Sequence, residues 1–184
     1  TLSIAANRLS YVFDLRGPSL AVDTACSSSL VALHHACNSL RAGEASMAMV
    51  GGVNLLLHPY PFVGFTKASM LSADGRCKPF DEAGNGYVRS EGSAVLLLKP
   101  LEHALRDGDN VHAVILASGV NADGARKTGI TIPSSDGQAE LMAEVLGRSG
   151  LKPEDVDFIE AHGTGTAVGD PIETAAIGRV YGQK

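Results

Sequence analysis

Three runs of residues, 47–53 (MAMVGGV), 94–99 (AVLLLK) and 111–118 (VHAVILAS), are apolar with almost no alternation, and they restrict the fold more tightly than any other feature of the sequence. A strand with one wet face alternates apolar and polar residues, whereas a continuous run requires cover on both faces. These runs therefore read as central strands of a sheet covered by helices. The sequence between them has the helical period. Residues 27–41 carry Leu30, Leu33, Cys37 and Leu40 and stop at Gly43; residues 101–106 form a short amphipathic helix. A longer helix at 135–149 opens with Ser135 and Asp136, places Leu141, Met142, Val145 and Leu146 on one side, and is closed by Gly150 and Pro153. Shorter strands are expected at 20–23 and 156–161, which makes the chain an α/β protein. Asp170 reads as a helix N-cap with Pro171 at the first helical position and Glu173 completing a capping box, so both acids are assigned to capping in preference to chemistry. Residues 58–92, rich in Gly, Pro, Asp and Ser, are too long for a simple connection and are expected to be an ordered excursion with helical turns near 62–70.

Of 184 residues 45% are hydrophobic, enough for one globular domain with a core. The net charge is −5 and the fifteen Lys and Arg residues are scattered, which argues against capture of a nucleic-acid backbone. No apolar run approaches the roughly 20 residues that cross a bilayer, and residues 1–7 lack the basic and apolar parts of a signal peptide, so a cytoplasmic protein without membrane contact is expected. Cys26, Cys37 and Cys77 fit neither a zinc knuckle nor a disulfide framework; reduced thiols and no metal are expected. No repeat or low-complexity segment occurs. Thr1 starts in helix-like sequence without a start signal and Lys184 follows an unfinished α/β unit, so a window truncated at both ends is expected.

Cys26 falls where a strand turns sharply into a helix. A cysteine there is activated, because the positive helix end favours the thiolate and free N–H groups can hold the oxyanion of a thioester under attack. The competing reading is a small buried hydrophobe, the usual state of a free cysteine. Cys37 lies on the apolar stripe of its helix, and Cys77 in a loop between Arg76 and Lys78. His162 follows a strand and precedes two Gly-Thr steps, a second site at a sheet edge, where α/β enzymes collect ligands. His34, His35, His58, His103 and His112 read as packed or solvated.

With its neighbours included, Cys26 is no longer ambiguous. Residues 22–30, VDTACSSSL, resemble the active-site signature of β-ketoacyl synthase domains from type I polyketide and fatty acid synthases. EAHGTGT at 160–166 followed by GDPIE at 169–173 is similar to the family's first histidine motif, 136 residues beyond Cys26. GRCKPFD at 75–81 and the residues from Gly84 to Gly92 are also similar to family sequence. The resemblance covers the whole chain. It implies a thiolase-like fold with αβαβα layers, here incomplete: the end of the N-terminal half and the start of the C-terminal half, with residues 1–184 a partial β-ketoacyl synthase domain. It also implies a homodimer in which the strand before the nucleophile pairs across the two-fold.

The implied activity is that of an acyltransferase. Cys26 takes an acyl chain from a carrier-protein thioester, and malonyl-carrier protein condenses with it by decarboxylative Claisen chemistry. His162 would hydrogen-bond the charge developing on the malonyl thioester oxygen, the Cys26 N–H would be one oxyanion donor, and Thr164 and Thr166 would hold the phosphopantetheine arm of the acyl carrier protein or else satisfy their own loop. The domain itself would bind no cofactor. The family's second histidine, in an Asn-x-Gly-His motif, its lysine and its glycine-rich Phe loop have no counterpart in residues 1–184. The chain alone is thus expected neither to fold well nor to condense, its strands left without sheet partners. Two rivals stand beside this reading: a non-elongating transacylase or scaffold homologue that binds acyl chains without condensing them, and a cysteine hydrolase, which leaves the paired motifs unexplained. The 123–134 loop and residues 84–92 are as similar to iterative synthases, fatty acid synthases included, as to modular polyketide ones, and polyketide synthesis is the preferred expectation.

Overall fold

A computed structural model describes residues 1–126 and 129–182. Lys127 and Thr128 of the 123–134 loop, and Lys184, lie outside the described residues. The chain divides into two compact units, Thr1–Asn54 with Gly92–Ser118, and Leu55–Glu91 with Gly119–Lys184.

In the first unit, helix α1 (Ser3–Val12) buries none of its residues. A single 3-10 turn at Ala25–Ser27 leads into α2 (Ser28–Arg41), which packs on strand β1 (Ala48–Asn54). The approach is close at Gly52, where an added Cβ would stand 3.1 Å from the Ser29 Cβ. β1 pairs antiparallel with β2 (Gly92–Leu98) in a register that sets Ala48 opposite Leu98 and Asn54 opposite Gly92. In the second unit α3 (Tyr60–Lys67) lies between these two strands in sequence. Helix α4 (Leu101–Asp107) follows β2, ended by Gly108 in the left-handed conformation at φ 73°. The Lys99 ammonium lies 2.5 Å from Asp107 and 2.6 Å from Asp109 and so clips the end of α4 to the end of β2. Val31 and Cys37 of α2, Val50 of β1 and Ala104 of α4 are the buried apolar residues of this unit. Leu30, expected on the buried stripe, is 68% exposed: Val31, one residue on, is buried instead.

In the second unit, α3 supplies the helical turns expected in the excursion. Beyond it a single bridge joins Leu71 to Tyr87. Helices α5 (Ser135–Ser149) and α6 (Gly169–Tyr181) pack on each other, with an Arg179–Asp136 ion pair between them at 2.5 Å and Ala139 and Ala176 buried. Gly150 at φ 76° ends α5, as the sequence predicts, whereas its cap is Ser134, one residue before the expected opening at Ser135, accepting from the Gly137 N–H.

Three expected strands are not strands. Residues 20–23, 111–118 and 156–161 make no ladder with any of the described residues. The physical reason is pairing: an apolar run becomes a strand only beside another whose N–H and C=O groups it can share, and the described residues supply one such pair, β1 with β2. Nor is the observed sheet covered throughout: α2 lies on β1, but β2 is open. Val95 and Leu97 on one face of β2 and Leu96 on the other are all more than half exposed.

Candidate active site

Cys26 sits in the 3-10 turn at the head of α2, its side chain exposed. The residue before it, Ala25, has φ +57°, a left-handed conformation that costs a non-glycine residue roughly 1–2 kcal/mol. Short polar side chains on both sides of the cysteine hold it there. The Ala25 N–H donates to Asp23 Oδ1 at 3.0 Å, and the Thr24 N–H donates to Ser28 Oγ at 2.9 Å. In return the Ser28 hydroxyl donates to the Ala25 carbonyl at 2.7 Å and the Ser27 hydroxyl to the Thr24 carbonyl at 3.0 Å. The acid and hydroxyl residues of DTACSSS are thus the mould of the turn, and the cysteine is left exposed within it.

His162, Thr164 and Thr166 share one loop of the second unit. Gly163 and Gly165 take φ +50° and +70°, so the loop has little shape of its own. Two carboxylates from the first turns of α6 impose it. Glu173 accepts from the His162 N–H at 2.6 Å and from the Gly163 N–H at 2.9 Å; Asp170 accepts from the Gly165 N–H at 3.0 Å. The other Asp170 oxygen accepts from the Phe80 N–H at 2.7 Å, and Asp170 is only 8% exposed. The capping box expected of Asp170 and Glu173 does not form. Helix α6 begins two residues earlier than expected, at Gly169 instead of Pro171, and the Thr166 hydroxyl serves its first N–H at 3.0 Å, which frees both carboxylates to bond the loop. Thr164 and Thr166 lie hydroxyl to hydroxyl at 3.0 Å. Thr166 is therefore a capping residue here.

The loop rests on the excursion. The Gly86 N–H donates to the Gly165 carbonyl at 2.9 Å, an added Cβ on Gly165 would come within 3.2 Å of the Lys78 backbone, and one on Gly163 within 3.3 Å of the Phe80 ring. Nearby, Asp74 is held well below the usual carboxylate range by the Lys78 ammonium at 2.8 Å and by the Ser72 hydroxyl. The family resemblance and the Gly-Thr steps mark Phe80 and these glycines in the sequence, but their contacts with one another are not legible there, because a close backbone approach has no period. Asp170 and Glu173 carry a capping signal, and it points to the wrong partners.

Cys37 is buried, and Cys77 accepts from the Val88 N–H at 3.2 Å. His34 is packed between Ser118 and Asn38, each at 3.0 Å from a ring nitrogen. No cluster of three or more His, Cys, Asp or Glu side chains suited to a metal ion occurs among the described residues.

Residues 1–104 match the sequence profile of the β-ketoacyl synthase N-terminal domain, and residues 112–184 that of the C-terminal domain. The chain belongs to the β-ketoacyl synthase family. The highly reducing polyketide synthase poxF of Penicillium oxalicum is 54% identical over 180 residues, 98% of the chain and 7% of that protein. One of the phenolphthiocerol/phthiocerol polyketide synthase proteins of Mycobacterium tuberculosis is 53% identical over 182 residues, 99% of the chain and 10% of that protein. Among solved structures, the oxazolomycin ketosynthase domain OzmH of Streptomyces albus superposes with a TM-score of 0.97 at 46% identity, covering 100% of the chain and 32% of that structure. The ketosynthase from module 6 of the bacillaene synthase of Bacillus subtilis gives 0.96 at 44%, over 99% of the chain and 33% of that structure. The fold of this ketosynthase chain is thus thiolase-like and partial. It spans about a third of the solved ketosynthases and no more than a tenth of these polyketide synthases. No helix among the described residues is long and apolar enough to cross a membrane.

Proposed function

We propose that the protein containing this chain is a β-ketoacyl-[acyl-carrier-protein] synthase of a polyketide synthase, with Cys26 as nucleophile and His162 as one of its catalytic histidines. The observation that carries the reading is the Cys26 turn: an exposed thiol on a strained backbone that its neighbours' side chains hold, in a chain whose residues 1–104 and 112–184 match β-ketoacyl synthase domains. Strain of this kind persists where the surroundings over-determine it.

In the first half-reaction the Cys26 sulfur attacks the carbonyl carbon of an acyl thioester on a carrier protein's phosphopantetheine arm. The carbon–sulfur bond to the carrier breaks, and the carrier thiol takes the proton that Cys26 gives up. In the second, malonyl-carrier protein loses its carboxylate as CO₂. The electron pair of the broken bond is delocalised onto the thioester oxygen, where the His162 ring would donate a hydrogen bond, and then forms the new carbon–carbon bond at the acyl carbon. Cys26 leaves as the thiolate and is reprotonated, and the product is a β-ketoacyl thioester on the carrier. Thr164, whose hydroxyl pairs with a capping Thr166, is the better placed of the two threonines to bond the phosphopantetheine arm. Partners on this reading are the acyl carrier protein and a second copy of the domain. The identity to polyketide synthases favours a polyketide product over a fatty acid.

The test is a two-step assay on the full-length protein. An acyl N-acetylcysteamine thioester is added and the mass gain at Cys26 is measured, after which malonyl-carrier protein is supplied. Acylation followed by a β-ketoacyl product supports the reading; stable acylation with no elongation would instead establish a non-elongating transacylase. Failure of the Cys26→Ser variant to differ from wild type in acylation would remove Cys26 from the mechanism.

A further inference from the structure

The His162 loop contains two glycines in the left-handed region, and a segment so permissive takes the shape its contacts dictate. Glu173 holds its beginning, but Asp170 reaches both the loop and what lies behind it. One Asp170 oxygen accepts from the Gly165 N–H at 3.0 Å, the other from the Phe80 N–H at 2.7 Å. Phe80 has φ +59°, a conformation that a residue with a large side chain does not adopt unaided, and its ring lies where a Cβ on Gly163 would meet it at 3.3 Å. The carboxylate therefore fixes Phe80 in a strained pose, and the posed ring backs the glycine that follows His162. Asp170 is 8% exposed, so water does not substitute for it readily.

We propose that Asp170, acting through Phe80, is a positioning residue for His162, setting the place of the imidazole in the condensation step. This rests on the reading of His162 as a catalytic histidine. A carboxylate with two oxygens is required, because asparagine of the same shape presents an NH₂ group to one of the two N–H donors and can accept from only one of them. Asp170 touches no reacting atom. Its effect is confined to the half-reaction that uses His162, and acyl transfer to Cys26 proceeds without it.

Three variants of the full-length protein test this: Asp170→Asn, Phe80→Gly and His162→Ala. Phe80→Gly relieves the backbone strain while removing the ring, and so remains informative should the buried Asp170→Asn exchange impair folding. Acylation of Cys26 is followed by intact mass with an acyl N-acetylcysteamine thioester, condensation by kcat and KM for malonyl-carrier protein, and folding by thermal melting. In Asp170→Asn and Phe80→Gly the expected result is an unchanged acylation rate, a KM close to wild type, and a fall in condensation kcat of up to about 10²-fold, the penalty for a reacting group displaced by about an ångström. Unchanged kcat in both variants, with kcat lost in His162→Ala, overturns the positioning role alone. Parallel loss of acylation, condensation and melting temperature also overturns it, since that is the pattern of a purely structural residue. Unchanged condensation in His162→Ala overturns the underlying reading of His162 and the inference with it.

Discussion

The Glu173 carboxylate accepts from two successive backbone N–H groups, those of His162 at 2.6 Å and Gly163 at 2.9 Å, one on each oxygen. His162 is thus held by its main chain, from a helix position eleven residues further along. We predict that Glu173→Gln, which turns one acceptor into a donor, destabilises the folded protein by about 1–3 kcal/mol. The urea midpoint of the full-length variant measures this; a midpoint equal to wild type would show that the N–H groups find other acceptors.

The turn at Cys26 has its own signature. Ala25 at φ +57° should tolerate glycine and resist a β-branched residue. Ala25→Gly is expected to leave stability within about 1 kcal/mol of wild type and Ala25→Val to lower it by roughly 1–3 kcal/mol, with slower acylation of Cys26. Equal melting curves for the two variants would mean that the left-handed turn is not the ground state.

Glycines that look alike in the sequence should differ sharply in what they tolerate. Gly86 has φ +126° and an added Cβ would lie 2.6–2.7 Å from the backbone of residues 70–72; Gly165 has φ +70° and a Cβ contact of 3.2 Å; Gly43 has φ +73° and open space. Replacement by alanine is predicted to destabilise in the order Gly86, Gly165, Gly43, from about 3 kcal/mol or more at Gly86 to about 1 kcal/mol at Gly43. Denaturant titration of the three variants gives the ranking, and a cost at Gly43 equal to that at Gly86 contradicts it.

Acid should loosen the α4 clip. Lys99 first, then Arg106, lowers the Asp107 carboxyl from its ordinary 3.8 to about 2. The folded form therefore binds fewer protons than the unfolded form between these values. The clip's contribution is complete above about pH 4 and disappears as the pH falls to about 2. The melting temperature of Asp107→Asn should lie below wild type at neutral pH and converge with it across that window, with a smaller gap at high salt because the pair is exposed. A gap that stays constant from pH 5 to pH 2 would assign the pairing no role.

Local chemistry is legible in the sequence where a single segment determines it. The helix at 135–149 with its Gly150 stop, the short helix expected at 101–106, the place of Cys26 at the head of a helix and the reach of the family resemblance all follow from residues within one window. What depends on distant partners does not follow. The 111–118 run has strand composition and no strand, because a ladder is a property of two segments. Asp170 has the sequence of an N-cap, yet it bonds Phe80 ninety residues upstream, a preference set by which N–H groups packing leaves bare. Pro79 marks the turn at Phe80, but nothing in the sequence shows that a phenylalanine takes the left-handed position there.

The excursion between β1 and β2 leaves the first unit at residue 55, returns at 92, and belongs in space with residues 119–184. Recombination between related synthases is constrained by that arrangement. A junction in the 105–111 gap separating the two matched segments would draw Phe80 and Gly86 from one parent and Asp170 and Gly165 from the other, splitting the contacts that shape the His162 loop. Exchanges that move 55–91 together with 119–184 keep those contacts within one lineage, so the inherited block is discontinuous in the gene although contiguous in the protein.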